Sequence, residues 1–190
     1  MMIGLFRKMS NFFKAVSFVL RNGANTVLYD SLTELYGLKI FKEFALKTLK
    51  LASRKNISVC LVMADLNSFK QLNDKFGHLR GDRALKEVAE VFKKHTRETD
   101  IVGRYGGDEF IILLPGTSLS DSFKIIEKIK SSLPETGISC SFGIAEAKFP
   151  DSSWLRQNSS ATQFWEKFLT DLISKADKLL YKDKRSAKVG

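Results

Sequence analysis

The segment RYGGDEF, Arg104 to Phe110, lies between two short apolar runs and limits the folds that this chain can adopt. Consecutive glycines permit backbone turns with positive φ and leave room for a ligand beside the main chain. Strand-like residues precede Gly106 and Gly107, and further strand-like residues follow Asp108. The segment therefore predicts a β-hairpin whose turn carries two carboxylates, Asp108 and Glu109.

Helices and single strands alternate around this hairpin. Apolar side chains recur with helical period over residues 35–53, and the apolar run 57–65 indicates a buried strand that ends in Asp65. The remaining predicted elements are, in chain order, helix 68–77, a helix that begins near Asp82 as its N-cap, helix 120–133, strand 138–147 and helix 164–182. This order predicts an α+β domain with a mainly antiparallel central sheet of about five strands flanked by helices.

Composition limits the class of protein. A chain of 190 residues with 44% hydrophobic residues is long enough for one domain with a real core. Its formal charge of +10 favours an anionic partner such as a nucleotide, a nucleic acid or an acidic membrane surface. Cys60 and Cys140 lie far apart in apolar runs, so we expect buried thiols in a reduced, cytoplasmic protein rather than a zinc site or a disulfide framework.

The first 29 residues have a pattern of their own. Phe6, Met9, Phe13, Val16 and Leu20 form an apolar stripe at alternating spacings of three and four, and the basic residues of the segment fall off that stripe. We therefore predict an amphipathic helix over 1–29 that serves in dimerisation or signalling. We favour dimerisation, or docking on the chain's own domain, over contact with a membrane surface.

The carboxylates suggest a metal site. Asp65 ends a predicted strand that would lie beside the hairpin carrying Asp108 and Glu109. Carboxylate oxygens suit Mg²⁺, which usually takes one or two protein carboxylates and fills its other positions with water and phosphate. Taken singly, Asp65 could cap the next helix and the two hairpin acids could simply be solvated. The adjoining glycines favour a ligand site over that interpretation.

Several separated motifs resemble those of the GGDEF domains, the diguanylate cyclases of bacterial signalling, over about residues 30 to 188. Besides RYGGDEF, they are DSLT at 30–33, ADLNSFKQLNDKFGHLRGD at 64–82, RETD at 97–100, SFGIA at 141–145 and ADKLLYKDK at 176–184. The resemblance implies a GGDEF domain over 30–190 with a palm-like fold related to nucleotide cyclases. It also implies an enzyme that condenses two GTP into cyclic di-GMP and pyrophosphate as a homodimer.

The resemblance also assigns catalytic and metal-binding residues. Asp65 and Asp108, with the carbonyl of Leu66, would hold Mg²⁺ or Mn²⁺, and Glu109 would help to activate the attacking 3′-hydroxyl.

Further residues would bind the substrate. The amides near Phe69 and Lys70 would cradle the terminal phosphates where a helix begins. The remaining implied contacts to GTP are the turn glycines Gly106 and Gly107, the base-selecting Asn73 and Asp82, and His78, Lys184 and Lys188. A carboxylate at Asp82 favours guanine, which offers two donors, over adenine.

Arg97 and Asp100 match the family's R-x-x-D motif, which binds the product and inhibits the enzyme. The guanidinium of Arg97 can donate two hydrogen bonds to one edge of guanine, and the carboxylate of Asp100 can accept from the opposite edge. The two residues could also form an ordinary ion pair on the surface. A catalytically inactive receptor for cyclic di-GMP or GTP is the alternative function. The hypothesis of a nucleic-acid-binding domain rests on net charge alone. We do not favour it, because the predicted strands lack the aromatic side chains on which bases would stack.

The chain departs from the family pattern at several positions. In DSLTELYGL, Glu34 replaces an expected glycine, and Gly37 and Leu38 replace an Asn-Arg pair. Asn67 stands where many relatives have an aspartate, and Lys188 stands where an arginine is expected. None of these changes affects the predicted metal acids.

Overall fold

A five-stranded sheet with strand order β1-β3-β4-β2-β5 forms the centre of the domain. The computed structural model describes residues 28–133, 137–150 and 162–186. The strands are β1 Tyr36–Gly37, β2 Val59–Leu66, β3 Ile101–Gly106, β4 Glu109–Pro115 and β5 Cys140–Glu146. Only β1 and β3 pair in parallel, and the pairs β3–β4, β4–β2 and β2–β5 are antiparallel. The predicted α+β fold with a mainly antiparallel sheet is confirmed.

Helices cover both faces of the sheet. They are α1 Leu38–Lys55, α2 Phe69–Phe76, α3 His78–His95, α4 Leu119–Ser132 and α5 Thr162–Ser186. Because successive side chains of a strand point to opposite faces, β2 sends Leu61 and Met63 towards α1 and α5, and Cys60 and Val62 towards α3 and α4. Every residue of β2 is buried, which explains why its sequence is apolar without alternation.

Helix α1 agrees with its sequence pattern. The buried residues of the helix are the seven that recur with helical period in the sequence, namely Ile40, Phe41, Phe44, Ala45, Thr48, Leu49 and Ala52. The helix ends at Asn56, whose φ of 51° is the left-handed conformation that commonly terminates a helix.

The predicted start of the next long helix was wrong. Helix α3 begins at His78, so Asp82 lies within its second turn and is not an N-cap. A single residue, Gly77, separates α2 from α3. Its φ of 81°, which glycine adopts readily, changes the direction of the chain between the two helices, and no side chain caps α3.

The short strand β1 lies in the altered motif DSLTELYGL, which we did not identify as a strand from its sequence. Tyr36 and Gly37 pair with Gly103 and Arg104 at the edge of the sheet. Just before this strand, Glu34 adopts a φ of 58°. A side chain in this conformation costs roughly 1 kcal/mol, which explains why a glycine suits this position.

Parts of the sequence predictions fall outside the described residues. They are almost all of the helix predicted over 1–29, most of the region 147–161, whose polar, turn-rich sequence predicts a surface loop, and Lys188. Cys60 and Cys140 are buried free thiols, as expected. Within the described ranges, no helix is long and apolar enough to span a bilayer.

Gly143 sets the distance between α5 and the sheet. A Cβ on this residue would overlap the carbonyl oxygen of Ala176 and the amide nitrogen of Leu180, both of which belong to the α5 backbone. The glycine of SFGIA therefore allows the last helix to lie directly on β5.

We predict that Gly143→Ala lowers the free energy of unfolding by about 1 to 3 kcal/mol, because backbone cannot move aside as a side chain can. Urea denaturation of the purified protein would measure this change. Gly37→Ala is the matched control, since its new Cβ would meet only Leu28 O at an ordinary 3.9 Å. Equal stability of the two variants would contradict direct helix-to-sheet contact at Gly143.

Candidate active site

A cleft of about 440 Å³ lies between the end of β2, the β3–β4 turn, the start of α2 and the end of α5. Its lining residues come from all these elements and from the segment before β5: Asp65, Leu66, Asn67, Ser68, Phe69, Lys70, Asp108, Ser139 and Lys184. The structure therefore brings six of the predicted site residues into one cavity, namely Asp65, Leu66, Phe69, Lys70, Asp108 and Lys184.

Strand register brings the acids together. In the antiparallel β2–β4 pair, Asp65 lies directly opposite Glu109. The amide of Leu66 donates to the carbonyl oxygen of Asp108 at 3.2 Å, which extends the pairing into the turn. A register irregularity between Arg104 and Gly106 lies just before this turn, and such irregularities often occur beside active sites.

Lys184 reaches this group of acids from the end of α5. Its Nζ lies 2.6 Å from Asp65 Oδ2, an ion pair with a carboxylate that is only 8% exposed. The neighbouring Asp183 accepts a hydrogen bond from the amide of Phe142 at 2.9 Å and so fixes the end of α5 to β5. Lys184, which we expected to meet phosphates, thus also neutralises a buried acid.

The acids destabilise one another's charged forms. Burial raises the pKa of Asp65; the hydrogen bond from Lys184 opposes this shift, and the charge of Asp108 adds to it. Burial also raises the pKa of Glu109, and the charges of Asp65 and Asp108 reinforce the effect. Lys184 alone opposes the shifts of Asp65 and Glu109, so these acids keep an excess of negative charge that a bound cation would offset.

The donor set fits a hard divalent cation. Within the ranges described, no group of three or more His, Cys, Asp or Glu side chains is arranged to hold a metal without a substrate. Mg²⁺ does not need such a group, because one or two carboxylates and the phosphate oxygens of a nucleotide satisfy it. Asp65 and Asp108 are two such carboxylates, and Leu66 lines the same cleft.

Arg104 holds the turn that carries Asp108. Its Nε and Nη2 donate to the carbonyl oxygen of Gly107 at 3.1 and 2.7 Å, and its Nη1 contacts both carboxylate oxygens of Asp30 at 3.0 and 3.1 Å. Burial opposes ionisation of Asp30, but hydrogen bonds from Thr33 and the Arg104 guanidinium lower its pKa overall. We did not assign a role to Asp30 or Arg104 from the sequence, although both lie inside motifs that we identified.

The glycines leave space at the turn. Gly107 adopts a φ of 39°, and a Cβ on either Gly106 or Gly107 would meet nothing within 4 Å. The open side of the turn can therefore accept a bulky ligand.

Helix α2 presents its N-terminus to the cleft. Phe69 and Lys70 are its first residues, and the preceding Ser68 provides no side-chain cap. Uncapped N–H groups at the start of a helix favour anions, so this end of α2 suits the phosphates of a nucleotide.

Three of the predicted substrate residues lie beyond the cleft lining, on α2 and α3. His78 and Asp82 are exposed in the first two turns of α3, and Asn73 lies on α2. The Oδ1 atom of Asn73 is buried and accepts no hydrogen bond from any described residue. A Cβ on Gly81 would overlap the Asn73 amide, so Gly81, which we did not select, makes room for it.

A second cleft, of about 260 Å³, lies beside Arg97 and Asp100 and also includes Tyr29, Glu34 and Tyr36 in its lining. The amide of Arg97 donates to Asp100 Oδ2 at 2.7 Å. The other oxygen, Oδ1, is buried and has no partner among the described residues. Burial raises the pKa of Asp100 to about 6.

Comparison with known proteins agrees with this geometry. The model of the family described as "Diguanylate cyclase, GGDEF domain" matches residues 27–189. The chain belongs to the GGDEF domain family.

Two curated relatives and one solved structure illustrate the similarity of this GGDEF domain to others. Diguanylate cyclase DgcS of Shewanella oneidensis is 34% identical over 85% of this chain, and diguanylate cyclase A of Treponema denticola is 31% identical over 75%. The chain spans only 51% and 37% of the lengths of these relatives. The GGDEF domain of DgcB from Caulobacter crescentus, solved with c-di-GMP, is 26% identical, with a TM-score of 0.71 over 84% of this chain and 88% of that one.

Asn67 shows how this GGDEF domain accommodates a departure from the family pattern. Its Nδ2 donates to Ser139 Oγ at 3.2 Å, and its Oδ1 accepts from Ser141 Oγ at 2.9 Å. The Asn67 amide therefore links the end of β2 to β5 without adding a further negative charge beside Asp65 and Asp108.

We predict that Asp100 makes the stability of this GGDEF domain depend on pH. An acid whose pKa is higher in the folded state stabilises the fold below its unfolded pKa, and this contribution is lost as pH rises through the folded value. Relative to Asp100→Asn, the wild type should therefore lose roughly 2 to 3 kcal/mol between pH 4 and pH 7.

Urea denaturation of both proteins across this pH range would measure the difference. Asn keeps an acceptor for the Arg97 amide, and comparison with this variant cancels the contributions of Asp65 and Glu109. Parallel pH profiles for the two proteins would show that Asp100 ionises normally.

Proposed function

We propose that this GGDEF domain is a diguanylate cyclase that condenses two GTP molecules into cyclic di-GMP and releases two pyrophosphates. The observation that carries this proposal is the convergence of Asp65 and Asp108 with Lys184 and the uncapped start of α2 in one cleft, with Glu109 paired opposite Asp65. The curated relatives named diguanylate cyclase support the same reaction.

The proposed roles follow from position and charge. Asp65, Asp108 and the Leu66 carbonyl would hold Mg²⁺ or Mn²⁺, which when bound neutralises phosphate charge and lowers the pKa of the attacking 3′-hydroxyl. The N–H groups at the start of α2, together with Lys70, would bind the terminal phosphates. Glu109 would accept the proton of the 3′-hydroxyl, and its raised pKa suits a general base.

Each condensation forms a bond from a 3′-oxygen to an α-phosphorus and breaks the bond from that phosphorus to the pyrophosphate oxygen. One chain supplies one set of acids, so the two GTP molecules would lie in two chains that face each other. An active homodimer is therefore part of the proposal.

Guanine recognition is assigned to Asn73 and Asp82. The unpartnered Oδ1 of Asn73 can accept a donor from the base, and the exposed carboxylate of Asp82 can accept from guanine N1–H and its amine. An adenine would leave these acceptors unpaired, which would favour GTP over ATP.

The second cleft is proposed as the site of product inhibition. Arg97 offers a guanidinium and Asp100 Oδ1 an unpartnered acceptor, which together suit the edges of guanine. The complex of the DgcB GGDEF domain with c-di-GMP supports product binding by this fold.

Asp108→Ala should reduce formation of cyclic di-GMP by about 1,000-fold or more, because it removes a carboxylate from the proposed metal site. The measurement is chromatography of products after incubation of purified protein with GTP and Mg²⁺, with EDTA as a second way to stop turnover. Asp171→Ala, which removes an exposed acid from α5, is the matched control.

Thermal unfolding of Asp108→Ala should match the wild type, so that loss of activity reports on chemistry. If folded wild type forms no cyclic di-GMP, the cyclase proposal fails. Binding of cyclic di-GMP without turnover would then support the receptor alternative.

Glu34→Gln should strengthen product inhibition by roughly threefold, because Glu34 places a negative charge in the cleft that would receive the phosphates of cyclic di-GMP. Inhibition constants for added cyclic di-GMP would be compared with those of Glu43→Gln, an exposed acid of α1. The gain should shrink at high salt. Unchanged or weaker inhibition in Glu34→Gln would place the product elsewhere.

A further inference from the structure

Helix α1 carries half of the formal charge of the chain. The helix has six basic residues and a single acid, Glu43, against a total of +10 for all 190 residues. The basic residues are Lys39, Lys42, Lys47, Lys50, Arg54 and Lys55. None of them belongs to the predicted active site or to the product cleft.

Most of these charges lie on one side of the helix. At 3.6 residues per turn, the five from Lys39 to Arg54 fall within an arc of about 140°, centred opposite the buried residues. Lys39, Lys42, Lys47 and Arg54 are exposed, whereas Phe41, Ala45 and Ala52 on the other side are fully buried. We call this stripe, Lys39 to Arg54, the basic face of α1.

Several basic residues of α3 and α4 form ion pairs within the domain, but those of α1 do not. Arg83 pairs with Glu87 and Lys93 with Glu90 on α3, and Lys124 pairs with Asp121 on α4. No ion pair within the described ranges involves a basic residue of α1. Like charges three or four residues apart repel, and Glu43 is the one acid of this helix that offsets them.

The described chain begins close to the start of α1. Leu28 packs in the same core cluster as α1, and Tyr29 stacks on Tyr36 with ring centroids 5.3 Å apart, two residues before α1 begins. In the sequence, residues 1–27 contain Arg7, Lys8, Lys14 and Arg21 but no acid. They also contain many large apolar side chains. The sequence before residue 28 is therefore basic, as α1 is.

We propose that the basic face of α1 docks on the surface of a lipid bilayer rich in anionic headgroups. Lys and Arg close to such a surface are attracted to it, and apolar side chains interspersed with basic ones suit the headgroup region. A nucleic acid would complement the charges but would offer no apolar surface to the large apolar side chains in the sequence before residue 28. This observation favours the bilayer, although the N-terminal stripe alone favoured dimerisation or docking on the domain.

Docking through α1 would leave the proposed active site open. The basic face points away from the sheet, whereas the cleft lies at the end of β2 and beside the β3–β4 turn. Binding to a bilayer and access of nucleotide therefore do not compete for the same surface.

The test uses the full chain and vesicles of equal parts phosphatidylglycerol and phosphatidylcholine. We expect co-sedimentation with these vesicles, little with pure phosphatidylcholine, and loss of binding as salt is raised. The variant K42Q/K47Q/R54Q should bind about 100-fold more weakly, since each basic residue near the surface contributes about a fivefold factor.

K86Q/K94Q/K128Q is the matched control. It removes the same number of exposed charges, but from α3 and α4 on the opposite layer. It should bind the anionic vesicles within about threefold of the wild type if the docking surface is specific. Both variants should keep wild-type circular dichroism and cyclic di-GMP formation in solution.

Three results would overturn the proposal. The first is no binding of the wild type to anionic vesicles at low salt. The second is an equal loss of vesicle binding in the two variants, which would show that binding depends on net charge and not on the basic face. The third is tighter binding to duplex DNA than to vesicles at equal phosphate concentration, which would assign the basic face to nucleic acid. Failure of cyclase activity would leave this test unaffected, because vesicle binding is measured without nucleotide.

Discussion

Main-chain pairing between β2 and β4 is the interaction on which the site depends. Its antiparallel register sets Asp65 opposite Glu109, and the hydrogen bond from Leu66 to Asp108 continues that register into the turn. A shift by one residue would move every side chain of a strand to the other face. The same ladder therefore determines both the packing of the core and the position of the acids.

Helix α5 is the second requirement, because it provides the cation that the acids need. Gly143 lets the helix backbone contact β5, Asp183 fixes its end to the amide of Phe142, and Lys184 then reaches Asp65. Residues more than a hundred positions apart in sequence thus form one ion pair. Local sequence pattern could not reveal that pair, because the pairing depends on how closely a helix approaches a sheet.

Much of the fold could nevertheless be predicted from the sequence. The buried face of α1 and the buried strand β2 follow from apolar periodicity, which reports burial directly. The start of α3 could not be predicted in this way, because Asp82 resembles a helix cap while Gly77 makes the actual boundary. Strand β1 is too short for any pattern, and its pairing with β3 depends on the turn at Glu34.

Helix α2 differs from the other helices in having no buried residue. Phe69 and Leu72 only partly pack against the core, so little apolar burial holds the helix in place. Segments of this kind open at a lower free energy than the whole domain. If phosphates bind at its N-terminus and guanine at Asn73, the nucleotide supplies contacts along α2 that the core does not, and substrate binding becomes part of the local folding of this helix.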